Sequence, residues 1–363
     1  MSQKYVFSAI FLYKIRFFSK MRLLPPFGSE EEKIKLVDLD LKDKKILWLL
    51  GENARMPLSE IAKKVALSRD TVAYRIKRLE QQKVILGART VIDTTTLGYN
   101  AYHLLLRLTN PVKEVEKEII QKLRELPQVR AILKFAGGYD LEIAVIAKNI
   151  EEFDLLLTQI IQKTEKYLED YEILVVSKDL IGQTFPKKFL TGFTVKNPYS
   201  NKKSTSIAKE NIDTKDFEII KIIRDNAQLS LLDISSKTKS SADTVAYRLK
   251  RLQERKIITR YVPVINYASI GYRITALLMQ ISNLDAEKEK KLRTFLETNE
   301  HVLWAVKCVG KYNLLAYVCT QKEEELHQAI NSLRALFPEQ IKNYHSLLAF
   351  VEYKYTYAPD VLF

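Results

Sequence analysis

Residues 70–79 read DTVAYRIKRL and residues 243–252 read DTVAYRLKRL, so the two strings differ only at Ile76 against Leu249. The spacing of 173 between them holds far beyond this stretch. It carries Asp40 onto Asp213, Asp43 onto Asp216, Asn53 onto Asn226, Gly137 onto Gly310, Tyr171 onto Tyr344 and Pro186 onto Pro359. An ungapped register of that length makes the chain a tandem duplication of a unit of about 145 residues. Whatever the unit folds into, the 363-residue chain must contain it twice.

Each unit divides in two. Leu41–Glu52 places apolar residues on one helical face behind Asp40, a residue type suited to an N-cap. Pro57–Val65 predicts a second, short helix. Ser68 then caps a third, Arg69–Gln82, with Val72, Ile76 and Leu79 as its inward stripe. Small Ala62, small Ala66 and β-branched Val72 stand at the spacing that two tightly crossed helices need. The second copy offers Ser235, Lys239 and Val245 there, with Lys239 the departure. Val84–Ile92, broken at Gly87, predicts a wing or hairpin. The rest alternates: strand Ala101–Thr109, helix Val112–Leu126, strand Val129–Phe135, strand Asp140–Ala147, helix Ile150–Gln162 and strand Tyr171–Ser177. That order, βαββαβ, is ferredoxin-like, and it recurs from Ile274 to Phe350.

The expected fold class is therefore α+β, two copies of a winged helix-turn-helix domain each followed by a ferredoxin-like βαββαβ domain. The boundaries expected are an N-terminal extension at 1–37, a first head at 38–98 and a first body at 99–186. A Lys-rich linker at 187–210 leads to a second head at 211–271 and a second body at 272–359.

Charge separates along the same lines. The chain carries a net +14, but residues 40–92 hold 12 basic against 6 acidic side chains and residues 213–265 hold 11 against 7. The bodies reverse this, with 11 against 14 over 101–180 and 9 against 10 over 274–353. Basicity gathered on the heads points to phosphate binding, and so to double-stranded DNA as partner. In helix-turn-helix docking the start of the third helix enters the major groove. The candidate face is Ser68, Arg69, Thr71, Tyr74, Arg75 and Arg78, with Arg69 and Thr71 toward base edges and Arg75 and Arg78 toward phosphates. The second copy presents Ser241, Thr244, Tyr247, Arg248 and Arg251, and has Ala242 in place of Arg69.

The three-helix head, the Asp93–Gly98 segment (D-x-x-x-L-G) and the βαββαβ partner with its Gly-x-Tyr-Asp turn together resemble the Lrp/AsnC family of transcription regulators. The resemblance covers about residues 38–186 and 211–359, and the double unit departs from the family's usual single one. It implies DNA-binding heads, and bodies that dimerise and take an amino acid or similar small effector near the dimer interface. It marks Gly137, Gly138, Tyr139 and Asp140, with Gly310, Tyr312 and Asn313 in the second copy, as effector candidates. Asp140 would accept hydrogen bonds from an ammonium group, whereas Asn313 lacks the charge. The tether implies an internal pseudo-dimer, with larger assemblies open to it, and an isolated first unit that pairs with itself.

Siroheme decarboxylases resemble the same two-part unit and carry a histidine in the strand before the turn. VRAILKFA (129–136) has none, and His301 lies just ahead of the second copy's counterpart. With four scattered histidines and two cysteines in apolar runs, Cys308 and Cys319, no catalytic constellation, metal site or cofactor is expected. The apolar run Tyr5–Tyr13 is too short to span a bilayer and is followed by Lys14, Arg16, Lys20 and Arg22. No stable membrane insertion and a cytoplasmic location are the expectations.

Overall fold

The computed structural model describes residues 35–109, 112–190 and 212–363. The Tyr5–Tyr13 run and most of the linker lie outside the described residues. Among those described, no helix is long and apolar enough to cross a membrane.

Each head is three helices and one strand. In the first copy these are α1 (Leu41–Glu52), α2 (Leu58–Val65), α3 (Arg69–Gln81) and β1 (Ile85–Ile92). In the second they are α6 (Thr214–Ile223), α7 (Leu231–Thr238), α8 (Ala242–Glu254) and β6 (Ile258–Ile265). Asp40 and Asp213 close capping boxes with Asp43 and Asp216, so reciprocal side-chain bonds satisfy the first amides of α1 and α6. Ile46, Leu47, Ile61, Val72 and Leu79 are buried and fill the first head. Ala66 ends α2 in the left-handed region (φ 53°), and Lys239 does the same at φ 51°. The lysine thus keeps the turn's shape.

Val84–Ile92 does not form a hairpin of its own. β1 is a single strand whose antiparallel partner is β6 of the other copy, with Arg89 opposite Val262 at the centre. Those two residues are equivalents, so a pseudo-two-fold axis passes between them. The first helix of each head ends on the other copy's strand: Ala54 N–H donates to Tyr261 O at 2.8 Å, and Ala227 N–H to Ala88 O at 2.9 Å. Neither head can move far without the other.

The bodies contain β2 (Asn100–Leu108), α4 (Lys113–Arg124), β3 (Val129–Ala136), β4 (Leu141–Ala147), α5 (Ile150–Thr164) and β5 (Leu168–Gly182). Their counterparts are β7 (Arg273–Ile281), α9 (Ala286–Thr298), β8 (Val302–Val309), β9 (Leu314–Thr320), α10 (Glu323–Leu336) and β10 (Ile341–Tyr355). The last strand of each body has 15 residues and serves two partners. β5 pairs with β2 and then with β8, while β10 pairs with β7 and then with β3. The eight strands close into one antiparallel barrel with the helices outside. Closure leaves this eight-stranded sheet with no free edge among the described residues, whereas a single βαββαβ sheet would leave edges exposed.

Residues after β5 continue into the packed structure. Phe189 is buried, stacked on Phe185 at 4.3 Å and tilted against Tyr272 of the second copy at 6.2 Å. Packing therefore continues through Leu190, into the stretch expected to be linker.

Candidate nucleic-acid interface and effector turns

The third helix of each head has its buried stripe on one side and its candidate face on the other. Ser68 caps α3 by accepting from Thr71 N–H at 3.1 Å, and the two hydroxyls lie 2.8 Å apart. Ser241 and Thr244 reproduce both distances on α8. Arg69 is exposed, and Tyr74 and Tyr247 stand out at 67% and 64% exposure, high values for aromatic rings. Lys77 and Lys250 are exposed on the same helices.

Arg75 and Arg78, expected to hold phosphates, are engaged inside the head. Arg75 Nη1 reaches Asp40 at 2.7 Å and Asp43 at 2.8 Å, and Arg78 Nη2 reaches Asp43 at 2.5 Å. Arg248 bridges Asp213 and Asp216 in the same way, and Arg251 pairs with Asp216. The carboxylates of Asp43 and Asp216 are almost wholly buried and would be costly to leave unpaired. The Arg248 guanidinium holds Asp213 below the usual carboxylate range. At Asp40, desolvation opposes the shift, but the Asp43 N–H and Arg75 outweigh it and lower the pKa. These four arginines clamp the third helix to the start of the first. The sequence pattern could not separate clamp from reader, because the acidic partners lie 32 and 35 residues away.

The two Gly-x-Tyr turns come together at the far end of the barrel. Gly137 (φ 145°) sits under β10, where an added Cβ would lie 2.8 Å from Leu347 Cδ2. Gly310 (φ 149°) sits under β5, where a Cβ would meet Ile173 O at 2.5 Å. A Cβ at Gly138 would contact His345 at 3.4 Å. Tyr139 and Tyr312 are both buried, and the His345 ring lies 6.4 Å from one and 5.5 Å from the other. Desolvation and the nearby Tyr312 raise the pKa of Tyr139. Arg107 covers the Tyr139 ring at 5.6 Å and donates to Gly138 O, while Lys311 pairs with Glu172 at 2.9 Å.

Asp140 has a backbone task here. Its carboxylate accepts from Leu108 N–H at 2.7 Å. Asn313 accepts from Ile281 N–H at 2.8 Å, the equivalent bond, and also donates to Ile281 O at 2.6 Å. Ending the first strand of each body explains both residues without an effector.

Sequence reasoning missed the polar groups buried in the barrel. His103 Nδ1 is 2.5 Å from Glu142, whose other oxygen accepts from Tyr317 of the second copy. Arg89, at the pseudo-axis, reaches Glu352 at 2.9 Å and lies 5.1 Å from the Tyr355 ring centroid. Burial raises the pKa of Glu352 against the pull of Arg89. His301 is buried just ahead of β8 rather than within a strand. Cys308 and Cys319 are buried free thiols, with burial pushing Cys308 up to about 12.

Comparison with known proteins agrees with this division. An AsnC-type helix-turn-helix domain matches residues 39–80, a winged helix-turn-helix DNA-binding domain matches 212–259, and an Lrp/AsnC ligand-binding domain matches 104–182. The proline dehydrogenase transcriptional activator of Rhodobacter capsulatus is 33% identical over 116 residues, which cover 32% of this chain and 75% of the relative. The HTH-type transcriptional regulator LrpA of Pyrococcus horikoshii is 30% identical over 142 residues, 39% of this chain and 98% of the relative. A crystal structure of a siroheme decarboxylase superposes with a TM-score of 0.57 at 14% identity, covering 86% of this chain and 92% of the other. At that identity the likeness is one of fold, and it extends across both units.

Proposed function

The chain belongs to the Lrp/AsnC family, and from that premise we propose that it is a transcription regulator which grips double-stranded DNA with two heads carried on one polypeptide. The observation that carries this reading is the pairing of two exposed third-helix faces about one pseudo-two-fold axis, on the two basic parts of the chain. Base readout is assigned to Arg69, Thr71 and Tyr74 in the first head, and to Thr244 and Tyr247 in the second. Since Ala242 replaces Arg69, the first head is the stronger reader. One bidentate arginine contact to guanine is worth about 1–3 kcal/mol of discrimination.

An amino acid or similar small effector completes the proposal, supported by the ligand-binding-domain match over 104–182 and by the meeting of the two turns. Asp140→Asn tests the charge cleanly, because Asn313 already makes the same backbone bond. Screening amino acids for thermal stabilisation should yield a ligand whose effect the variant removes.

Fluorescence anisotropy with a labelled duplex pool across a salt series tests DNA binding. Affinity should fall steeply with salt, and Arg69→Ala should weaken sequence preference. Binding that ignores salt, or a chain that binds no duplex, would overturn the reading.

A further inference from the structure

We propose that the barrel interior makes the two units fit each other and not themselves, so that the partner each body recognises is the opposite unit of this architecture. Whatever the heads bind, equivalent positions in the two bodies differ in opposite senses. In the first body, Ala144 on β4 lies between His103 of β2 and Ala131 of β3 in the strand register. In the second body the same positions are Tyr317 on β9, between Ala276 of β7 and Trp304 of β8. Where one copy has two alanines and a histidine, the other has two large aromatics and an alanine. Two residues away on β4, and so on the same face, Glu142 stands where the second copy has Leu315.

These differences meet across the barrel. Trp304 stacks on Tyr317 with centroids 5.2 Å apart and lies 5.7 Å from the His103 ring. The Tyr317 hydroxyl donates to Glu142, which also bonds His103. The second unit's aromatic pair thus reaches His103 and Glu142, beside Ala144 in the strand register, and Tyr317 supplies a donor to the buried Glu142 carboxylate.

Neither unit could close the same barrel with its own duplicate. Two first units would set Ala131 and Ala144 of the added copy where Trp304 and Tyr317 stand, leaving space unfilled, and would bury two Glu142 carboxylates without Tyr317. Two second units would bring two Trp304 and two Tyr317 rings into one interior, with Leu315 in place of the carboxylate that accepts each hydroxyl. The seam therefore rejects like pairs as well as rewarding the unlike one. It follows that the isolated first unit, expected from sequence to pair with itself, does so poorly. The same seam would keep single-unit relatives from mixing with this chain and keep one strong head beside one weaker head.

The test uses the full chain with a protease site inserted between residues 190 and 212, cleaved after folding. Cleaved protein is mixed with a uniformly 15N-labelled cleaved preparation, and the pairs are read by native mass spectrometry. Random pairing would make about half of all pairs like pairs. We expect labels to scramble while every pair keeps one first and one second unit, with like pairs at least tenfold below the random share. Like pairs near the random share would overturn the proposal. Complexes that exchange too slowly are dissociated in urea and refolded together, with the same readout. Should unlike pairs fail to re-form while like pairs do, the proposal is equally overturned.

Discussion

Replacing Arg75 separates a clamp from a phosphate contact. Its Nη1 bonds Asp40 at 2.7 Å and Asp43 at 2.8 Å, with the Asp43 side chain 1% exposed and that of Arg75 19%. Arg75→Ala leaves Asp43 with Arg78 alone, and strips one buried, charged acceptor of its donor. Losing such a bond costs about 1–3 kcal/mol. The half-exposed Asp40 pair adds less than about 1 kcal/mol. A loss of roughly 2 kcal/mol is expected, read by urea unfolding through the fluorescence of Trp48, which is buried in the first head. A Trp304→Phe background removes the chain's other tryptophan. Arg75→Lys should recover little, since a lysine cannot offer a planar fork to two carboxylates. The salt slope of DNA binding should stay unchanged in both variants. If Arg75→Ala instead lowers the slope by about 0.9 unit, Arg75→Lys restores it and neither shifts the unfolding midpoint, the residue holds a phosphate and the clamp argument is wrong.

Gly310→Ala should destabilise more than Gly137→Ala in thermal unfolding, because its Cβ would meet a backbone carbonyl rather than a leucine methyl; equal losses would point to φ strain alone. Glu325 links the second body to the first unit's tail through Lys188 at 2.9 Å. Burial works to raise its pKa, but Lys188 and the N–H groups of Gln321 and Lys322 bring it down to about 2, below the ordinary 4.5. Its contribution is thus full above about pH 4.5 and lost as pH falls toward 2, so Glu325→Gln should flatten that limb of an acid-unfolding curve. Ala242→Arg should strengthen the weaker head and make the preferred duplex more symmetric, as read by affinity for matched and mismatched half-sites.

The helices of the heads were legible because capping residues and the apolar period agree. Asp40, Ser68 and the Val72/Leu79 stripe fix α1 and α3 almost to the residue. The ferredoxin-like order was legible for the same reason. The second half of β5 was not, since Ser177–Gly182 carries Lys178 and Asp179, and bulges at Val176/Lys178 and Asp179/Ile181 break the period of two. Its partner strand also lies in the other copy. The β1–β6 pairing is illegible on similar grounds: a strand signal names no mate, and a local hairpin is the nearer expectation. Arg75 and Arg78 are residue types that suit phosphate contacts, but the geometry that pairs them with Asp43 exists only once α1 and α3 pack.

Selection of bound sequences from a random duplex pool tests the central claim, that one chain presents two unequal DNA-reading heads about a single pseudo-axis. The predicted product is an imperfect inverted repeat with half-sites about one helical turn, or a multiple, apart. One half should be well defined and lose its definition in Arg69→Ala. A pool that stays random through successive rounds, or one that yields a single unpaired site untouched by Arg69→Ala, would contradict it.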